Sequence, residues 1–555
     1  MLRFALGIAL AVTLASAPPA KAAQAPTSSS HQQLISLFEE WRAFNHPAII
    51  RGRPDYGATA MTAKAARLNT FKQRLAAIDT SGWTASEKGD FRLVEAEMNG
   101  LDFFLRVLKP WARDPDFYQT IFPEMSDVPA HEGPSAEPNI DLFKYKWPLS
   151  KADDAHLTEQ IGAVPTLLAD AKVNLAGSQA HDLWAYGDRA FTGQAKALAD
   201  LEAGTLTLND LEGRRTVSLH GASPGLKAAV HAARLASEDF AAWIKTEAPK
   251  RTGPSGVGKD NYNWFLKHVL LSQFDYDQQV ILLQRELDRS LASLRLEEMR
   301  NRAAPPIPEI TDPAAYKSMA LARNERLYRL LVDAGFIVDR PYYRSALFGQ
   351  LGDYTAPADR NFFTHVTALD PLPLSSHQFH WIELARLKHE PNPSPIRDTP
   401  PLFNIYAERS EGLATAMEEL LMQAGLYDDE PHGRELVWIM AANRAARGLV
   451  SLRVQANEVG LDEAGKFHAS WTPRGWSDPN SALVGFEQLL YLRQPGYGPS
   501  YIVGKASLDR LLALASHQAE VEHRPFDAHA IFQAIWNSAI VPPAIIEDEF
   551  LAPRN

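Results

Sequence analysis

The stretch HEPNPSP at residues 389–395 poses the first chemical question of the chain. A His-Glu pair closing an apolar, helix-like run opens a zinc site when a second histidine follows four residues on, because both imidazoles then point at one ion. Here the fourth position on from His389 is Pro393, which has no ligand atom. Pro391, Pro393 and Pro395 also forbid a helix beyond Glu390, since proline lacks the amide hydrogen and disfavours helical backbone in the residue before it. The spacing predicts a helix that ends at His389-Glu390, with the chain extended after it. The helix dipole favours a protonated His389 there. On spacing alone, the pair reads as an acid/base pair at a helix end more readily than as a complete zinc site.

The run leading into it, HQFHWIELARLKHE at 377–390, offers further donors. If helical, it places His380, Glu383 and Leu387 on one face, with Glu390 close to it. Histidines and carboxylates so spaced can ligate a metal, and they can equally form a solvated face. Other near-motifs are weaker. TGPSGVGKD at 252–260 has Gly253, Gly258 and Lys259 of a phosphate loop. It has Asp260 where Ser or Thr is required, and no buried strand before it, so it reads as a loop ahead of a helix from Asn261. His131-Glu132 lies inside PEMSDVPAHEGPSAEPNID at 123–141 and also reads as loop. No G-x-S-x-G elbow is present.

The elements that must hold these residues are mostly helices. Leu34, Leu37, Phe38 and Trp41 recur at helical spacing. Residues 88–110 predict one helix stopping before Pro110, and 278–303 another stopping at Ala304-Pro305-Pro306. Two more are predicted at 411–427 and 434–458. Short strands are predicted near 336–348 and 362–368. The fold class is mostly α, a large two-lobed helical architecture with a central groove. Its divisions are 1–22 as signal peptide, 23–250 as N-terminal lobe and 251–555 as C-terminal lobe.

The signal-peptide reading rests on MLRFALGIALAVTLASAPPAKAAQAP, with one arginine, a short apolar run and an A-x-A site at Ala20-Lys21-Ala22. It predicts an exported, periplasmic protein with no membrane span after cleavage. The chain contains no cysteine, which excludes disulfides, thiol nucleophiles, thiolate metal sites and lipid attachment through Cys. The net charge is −11, with no basic run, so a nucleic-acid partner is not expected. Oligomeric state is not readable from these features.

Several stretches, in order, carry a resemblance to a known family. They are AEMNGLDFFLRVLKPWARDPDFY at 96–118, GVGKDNYNWFLKHVLL at 256–271, HEPNPSP at 389–395, EGLATAMEELLMQAGLYDD at 411–429, PGYGPSYIVGK at 495–505 and FDAHAIFQAIWNSAIVPPAII at 526–546. Together they resemble the bacterial domain of unknown function 885 family, which resembles helical, zincin-type metallopeptidases. The resemblance implies that His389 is a metal ligand, Glu390 the general base that activates water, Glu411 a further ligand, and Tyr501 a donor to a developing oxyanion. The sequence departs from the pattern at Pro395, where the family has its second metal histidine. It departs again at Ser394, Leu413, Tyr497 and Gln533, where the family has Gly, Trp, Gln and His. Arg397 is then a candidate to supply a positive charge.

Three functions follow. In the first, an exported hydrolase-like enzyme keeps a His389-Glu390-Glu411-Tyr501 groove, with an incomplete zinc site, for a peptide or a small amide, ester or aromatic compound. In the second, a zinc-dependent peptidase completes its shell with His377, His380 or Glu418. In the third, a non-catalytic protein uses a groove lined by some of the 12 Trp and 16 Tyr to hold a peptide.

Overall fold

The computed structural model describes residues 29–50 and 52–552. The predicted signal peptide, residues 1–22, lies outside the described residues. The chain is mostly α-helical, with a few two-residue and five-residue strands. No described helix is long and apolar enough to cross a membrane.

Local chemistry sets most helix ends. Thr84 caps the Ala85–Phe103 helix, and Glu87 reaches back to close a capping box. That helix passes into one π-turn, Phe104–Leu108, and stops at Lys109, just before Pro110. Asp275 and Gln278 form the same box at the start of the Tyr276–Asn301 helix. The Phe379–His389 helix ends where the prolines require, with Glu390 at its C-cap. The chain beyond is not extended throughout. Pro395 opens one further helical turn, Pro395–Asp398, because its fixed φ suits a first helical position.

Both strand expectations are corrected. Residues 336–348 include the Pro341–Gly349 helix, started by Pro341, with Tyr343, Ala346 and Leu347 buried at i, i+3 and i+4. Residues 362–368 lie in the Phe362–Leu369 helix, capped by an Asn361–Thr364 box. The Pro341 start, the Asn361 box and the helical burial period decide both segments. The longest sheet is an antiparallel hairpin, Leu206–Asp210 with Gly213–Val217, which turns its Leu206 and Leu208 inward.

The stretch 250–258 is bonded to segments on both sides of it. Gly253 N–H donates to Gln179 O at 2.7 Å and Gly258 N–H to Gln455 O at 2.8 Å. One apolar cluster includes Phe240 and Ile244 from before it and Tyr262 and Phe265 from after it.

Four buried helices build the centre. The Ala407–Gln423 helix packs on Tyr497–Val521, and Tyr276–Asn301 packs on Pro431–Gln455. The first pair crosses backbone to backbone. A Cβ at Gly412 would lie 2.3 Å from Gly504 Cα, and one at Gly504 would lie 1.9 Å from Glu408 O. Only glycine permits that approach, and it brings Glu411 up to the tyrosines at the start of the neighbouring helix.

Candidate metal centre

Two short consecutive helices deliver two histidines. His377 closes the Leu372–His377 helix and His380 lies in the first turn of Phe379–His389. The break at Gln378 turns the rings toward each other, with centroids 5.0 Å apart and planes at 84°. Glu411, one turn into its own helix, meets both. Its Oε2 lies 3.3 Å from His380 Nε2 and 3.6 Å from His377 Nε2. The three residues are buried, and one ligand atom from each lies within 4.8 Å of the others, a group that could hold a metal ion.

The surrounding residues orient these donors. Glu418, two turns after Glu411, puts Oε1 3.0 Å from His377 Nδ1. Arg444 holds Glu418 in turn, with a guanidinium nitrogen 2.6 Å from the same carboxylate. Tyr497 Oη donates to Glu411 Oε1 at 2.5 Å. Glu411 is thus divided, one oxygen anchored and the other turned to the histidines. Glu411 Oε2 and His380 Nε2 are fully buried and face each other as an ion pair, with no further hydrogen-bond partner for either atom. Two imidazole nitrogens turned on one carboxylate oxygen in a buried site fit a ligand set.

Charge in this pocket is strongly coupled. Burial opposes charge on His380, but the carboxylate of Glu411 outweighs it and raises the imidazole to about 9. Burial likewise opposes charge on Glu411, yet His380 and His377 hold its carboxyl well below the usual range. Tyr501 lies flat to His377, centroids 6.2 Å apart, with the Arg447 guanidinium 4.5 Å from the centroid of the Tyr501 ring. Arg447 is itself paired with buried Glu487.

Two carboxylates arrive from the 123–141 loop. Asp127 and Glu132 are half-buried and sense the charges of Glu411 and His380. Burial, reinforced by Asp127 and Glu411, pushes the Glu132 carboxyl up to about 8. Both line a cavity of about 670 Å3, which also touches Ser375 and Gln378 beside the histidines. The His131-Glu132 pair is therefore in a loop, as its sequence indicates, and that loop borders the candidate centre.

The structure brings together His377, His380, Glu411, Glu418 and Tyr501. It does not bring His389, Glu390 or Arg397 to them. The helix axis carries His389 about 13 Å beyond His380. There its ring stacks on Tyr342 at 4.4 Å. Glu390 accepts from Arg340 at 3.0 Å and from the Tyr342 hydroxyl. Arg397 is neither a free positive charge nor an exposed side chain. It is buried, and bonds Asp90 and Glu549, each at 2.5 Å. Sequence reasoning missed Asp127, Glu132, Arg444, Arg447 and the Tyr497 hydroxyl as part of the same centre. One signal was available: Arg444 and Arg447 stand three apart in a helix otherwise rich in Ala, Val and Leu, where a buried charge demands a partner.

No family model and no curated protein matches the chain. Two solved structures share its fold over nearly the whole length. One is a candidate lipoprotein of unknown function from Shewanella oneidensis, with TM-score 0.66 and 12% identity, covering 95% of this chain and 100% of that one. Another is a candidate lipoprotein from Colwellia psychrerythraea, with TM-score 0.62 and 14% identity, covering 94% and 98%. At such identities the likeness is one of fold.

Proposed function

We propose that the protein is an exported, metal-dependent hydrolase acting on a peptide or small amide, with its ion held by His377, His380 and Glu411. The observation that carries this reading is the buried convergence of three donors, with a ligand atom of each within 4.8 Å of the others. Two histidines and one carboxylate are a donor set of catalytic zinc that leaves a position for water or substrate. A bound zinc supplies Lewis acidity and a more acidic water.

The chain's own residues support that chemistry. Glu418, steadied by Arg444, faces Nδ1 of His377 and so favours the tautomer whose Nε2 is free toward the centre. Tyr497 occupies one oxygen of Glu411 and leaves the other for the ion. Glu132 and Asp127, at the cavity side, are the candidates to hold or pass a proton. Tyr501 is the candidate to donate to a developing oxyanion. The resemblance to the domain of unknown function 885 family supports Glu411 and Tyr501 in these roles. In the present reading His377 and His380 take the histidine role first given to His389. Likeness in fold to candidate lipoproteins supports a place in the cell envelope.

The test is elemental mass spectrometry on protein purified without an affinity tag. The expected result is about one zinc per chain, lost in His380→Ala, followed by turnover in a screen of peptides and small amides. Metal well below stoichiometry, with no thermal stabilisation on adding zinc, would sink the reading. The His380–Glu411 ion pair would then line the pocket of a non-catalytic peptide-binding protein.

A further inference from the structure

A second cavity, of about 370 Å3, lies on the other side of the 129–134 loop. Its walls come from segments that run directly into the candidate centre. Leu402–Tyr406 leads into the helix of Glu411, five residues on from Tyr406. Arg493–Pro495 leads into the helix of Tyr497. Pro129–Pro134 carries Glu132, and His131 borders both cavities. The charges of Glu132 and Glu411 are felt at the Tyr406 hydroxyl. The cavity is therefore a neighbour of the centre.

Its wall is built under strain. Phe403 and Asn404 are consecutive non-glycine residues in the left-handed region, at φ 55° and 50°. That conformation is unfavourable for phenylalanine, though asparagine tolerates it, and for Phe403 it persists only where surroundings enforce it. Asn404 is held by a hydrogen bond from its amide to Pro495 O at 3.2 Å. The Phe403 ring is seated against Gly100, where a Cβ would come within 2.3 Å of it. It lies 6.1 Å from the ring of Phe104, tilted by 60°. The sequence thus accepts a strained Phe403 and reserves a glycine to present its aromatic ring in this wall.

The charged groups of the lining are already committed. Arg42 binds Glu97, Lys64 binds the carbonyls of Asn45 and His46, His131 binds Asp141, Glu137 binds His46, and Arg493 binds Asp114. Four of these five groups are paired with an opposite charge and Lys64 is tied to two carbonyls, so the part of the wall that remains to receive a guest is apolar, and the guest complementary to it is neutral. Phe104, Phe403 and Tyr406 offer it tilted ring faces and edges.

We infer that this cavity receives a neutral aromatic side chain of the substrate, next to the bond held at His377, His380 and Glu411. The inference rests on the hydrolase reading for the bond that is cleaved, and not for the binding itself. The experiment is calorimetric titration of the purified protein with N-acetyl-phenylalanine amide and its leucine and alanine analogues. The phenylalanine compound should bind at least about tenfold more tightly than the alanine compound, with leucine between them. Ala130→Trp, at an exposed position on the rim, should remove most of that preference. His380→Ala should leave it in place. Equal affinity for phenylalanine and alanine overturns the inference, and so does leucine binding as tightly as phenylalanine. If Ala130→Trp does not fold, the wild-type series decides alone. A preference without bound metal defeats the hydrolase reading only, and bound metal without preference defeats this one only.

Discussion

The Phe379–His389 helix carries a histidine near each end, and the two ends differ in what their polar atoms touch. At the first turn, His380 Nε2 and Glu411 Oε2 face each other across 3.3 Å as a buried ion pair, and His377 Nε2 faces the same oxygen. At the last turn, His389 stacks on Tyr342, and Glu390 is bonded by Arg340 and Tyr342. A few residues on, Arg397 is closed in by Asp90, Glu549 and two backbone carbonyls. The end that spells His-Glu in sequence is thus a set of contacts that lead away from one another, whereas the end without that motif turns its donors on a single point. Buried imidazoles and a carboxylate whose ligand atoms converge on one point fit an ion held between them. The contrast separates residues that hold the fold from residues placed for a ligand.

The largest expected effect falls on the convergent end. His380→Ala, or Glu411→Gln, should abolish stoichiometric zinc binding and with it any turnover, while Glu390→Gln keeps both within about twofold. Metal content and rate on one hydrolysed amide check this together. Metal lost equally on changing Glu390 would reverse the comparison. Next comes the His-Glu end. Arg397→Ala takes the cation from buried Asp90 and half-buried Glu549 and should cost about 3 kcal/mol in urea unfolding. Its zinc content should not change.

How much of this was legible in the sequence follows the range of the interactions. Helices fixed by local signals were readable: the Ala85–Phe103 helix with its Pro110 stop, and the Tyr276–Asn301 helix before Ala304-Pro305-Pro306. So was the helix end at His389. The two expected strands failed because the Asn361 box and the Pro341 start decide those segments. In the site, Glu411, His377, His380 and Glu418 could be named as donors. Their meeting could not be foreseen, because it depends on a backbone crossing at Gly412 and Gly504, between helices far apart in the chain. Tyr497 looked like a departure from the family pattern, and in the fold its hydroxyl anchors Glu411. Glu132 looked like loop composition, and only the fold sets that loop beside His380.

A middle-sized effect probes the residues behind the convergent end. Glu418→Gln keeps the shape but removes the charge facing His377 Nδ1, and should weaken zinc binding by about 10–100-fold without abolishing it. Competition with a chelator measures this. An unchanged affinity would mean that Glu418 serves Arg444 alone.

The smallest effect sharpens the His-Glu end, through pH. Burial opposes charge on Glu390, but bonds from Tyr342 and Arg340 outweigh it and hold the carboxyl below its ordinary value near 4.5. A carboxyl lowered in the folded state contributes stability above its unfolded value and loses it as pH falls through the folded one. Its side chain is 34% exposed, so solvent screens the pair and the contribution at pH 7 should be under about 1 kcal/mol. Glu390→Gln should therefore lower the urea midpoint slightly at pH 7, and the difference from wild type should fade as pH drops below about 4.5. A difference that instead grew on acidification would mean that Glu390 is protonated in the folded protein, as an acid catalyst would be. The His389-Glu390 end would then regain a claim to chemistry.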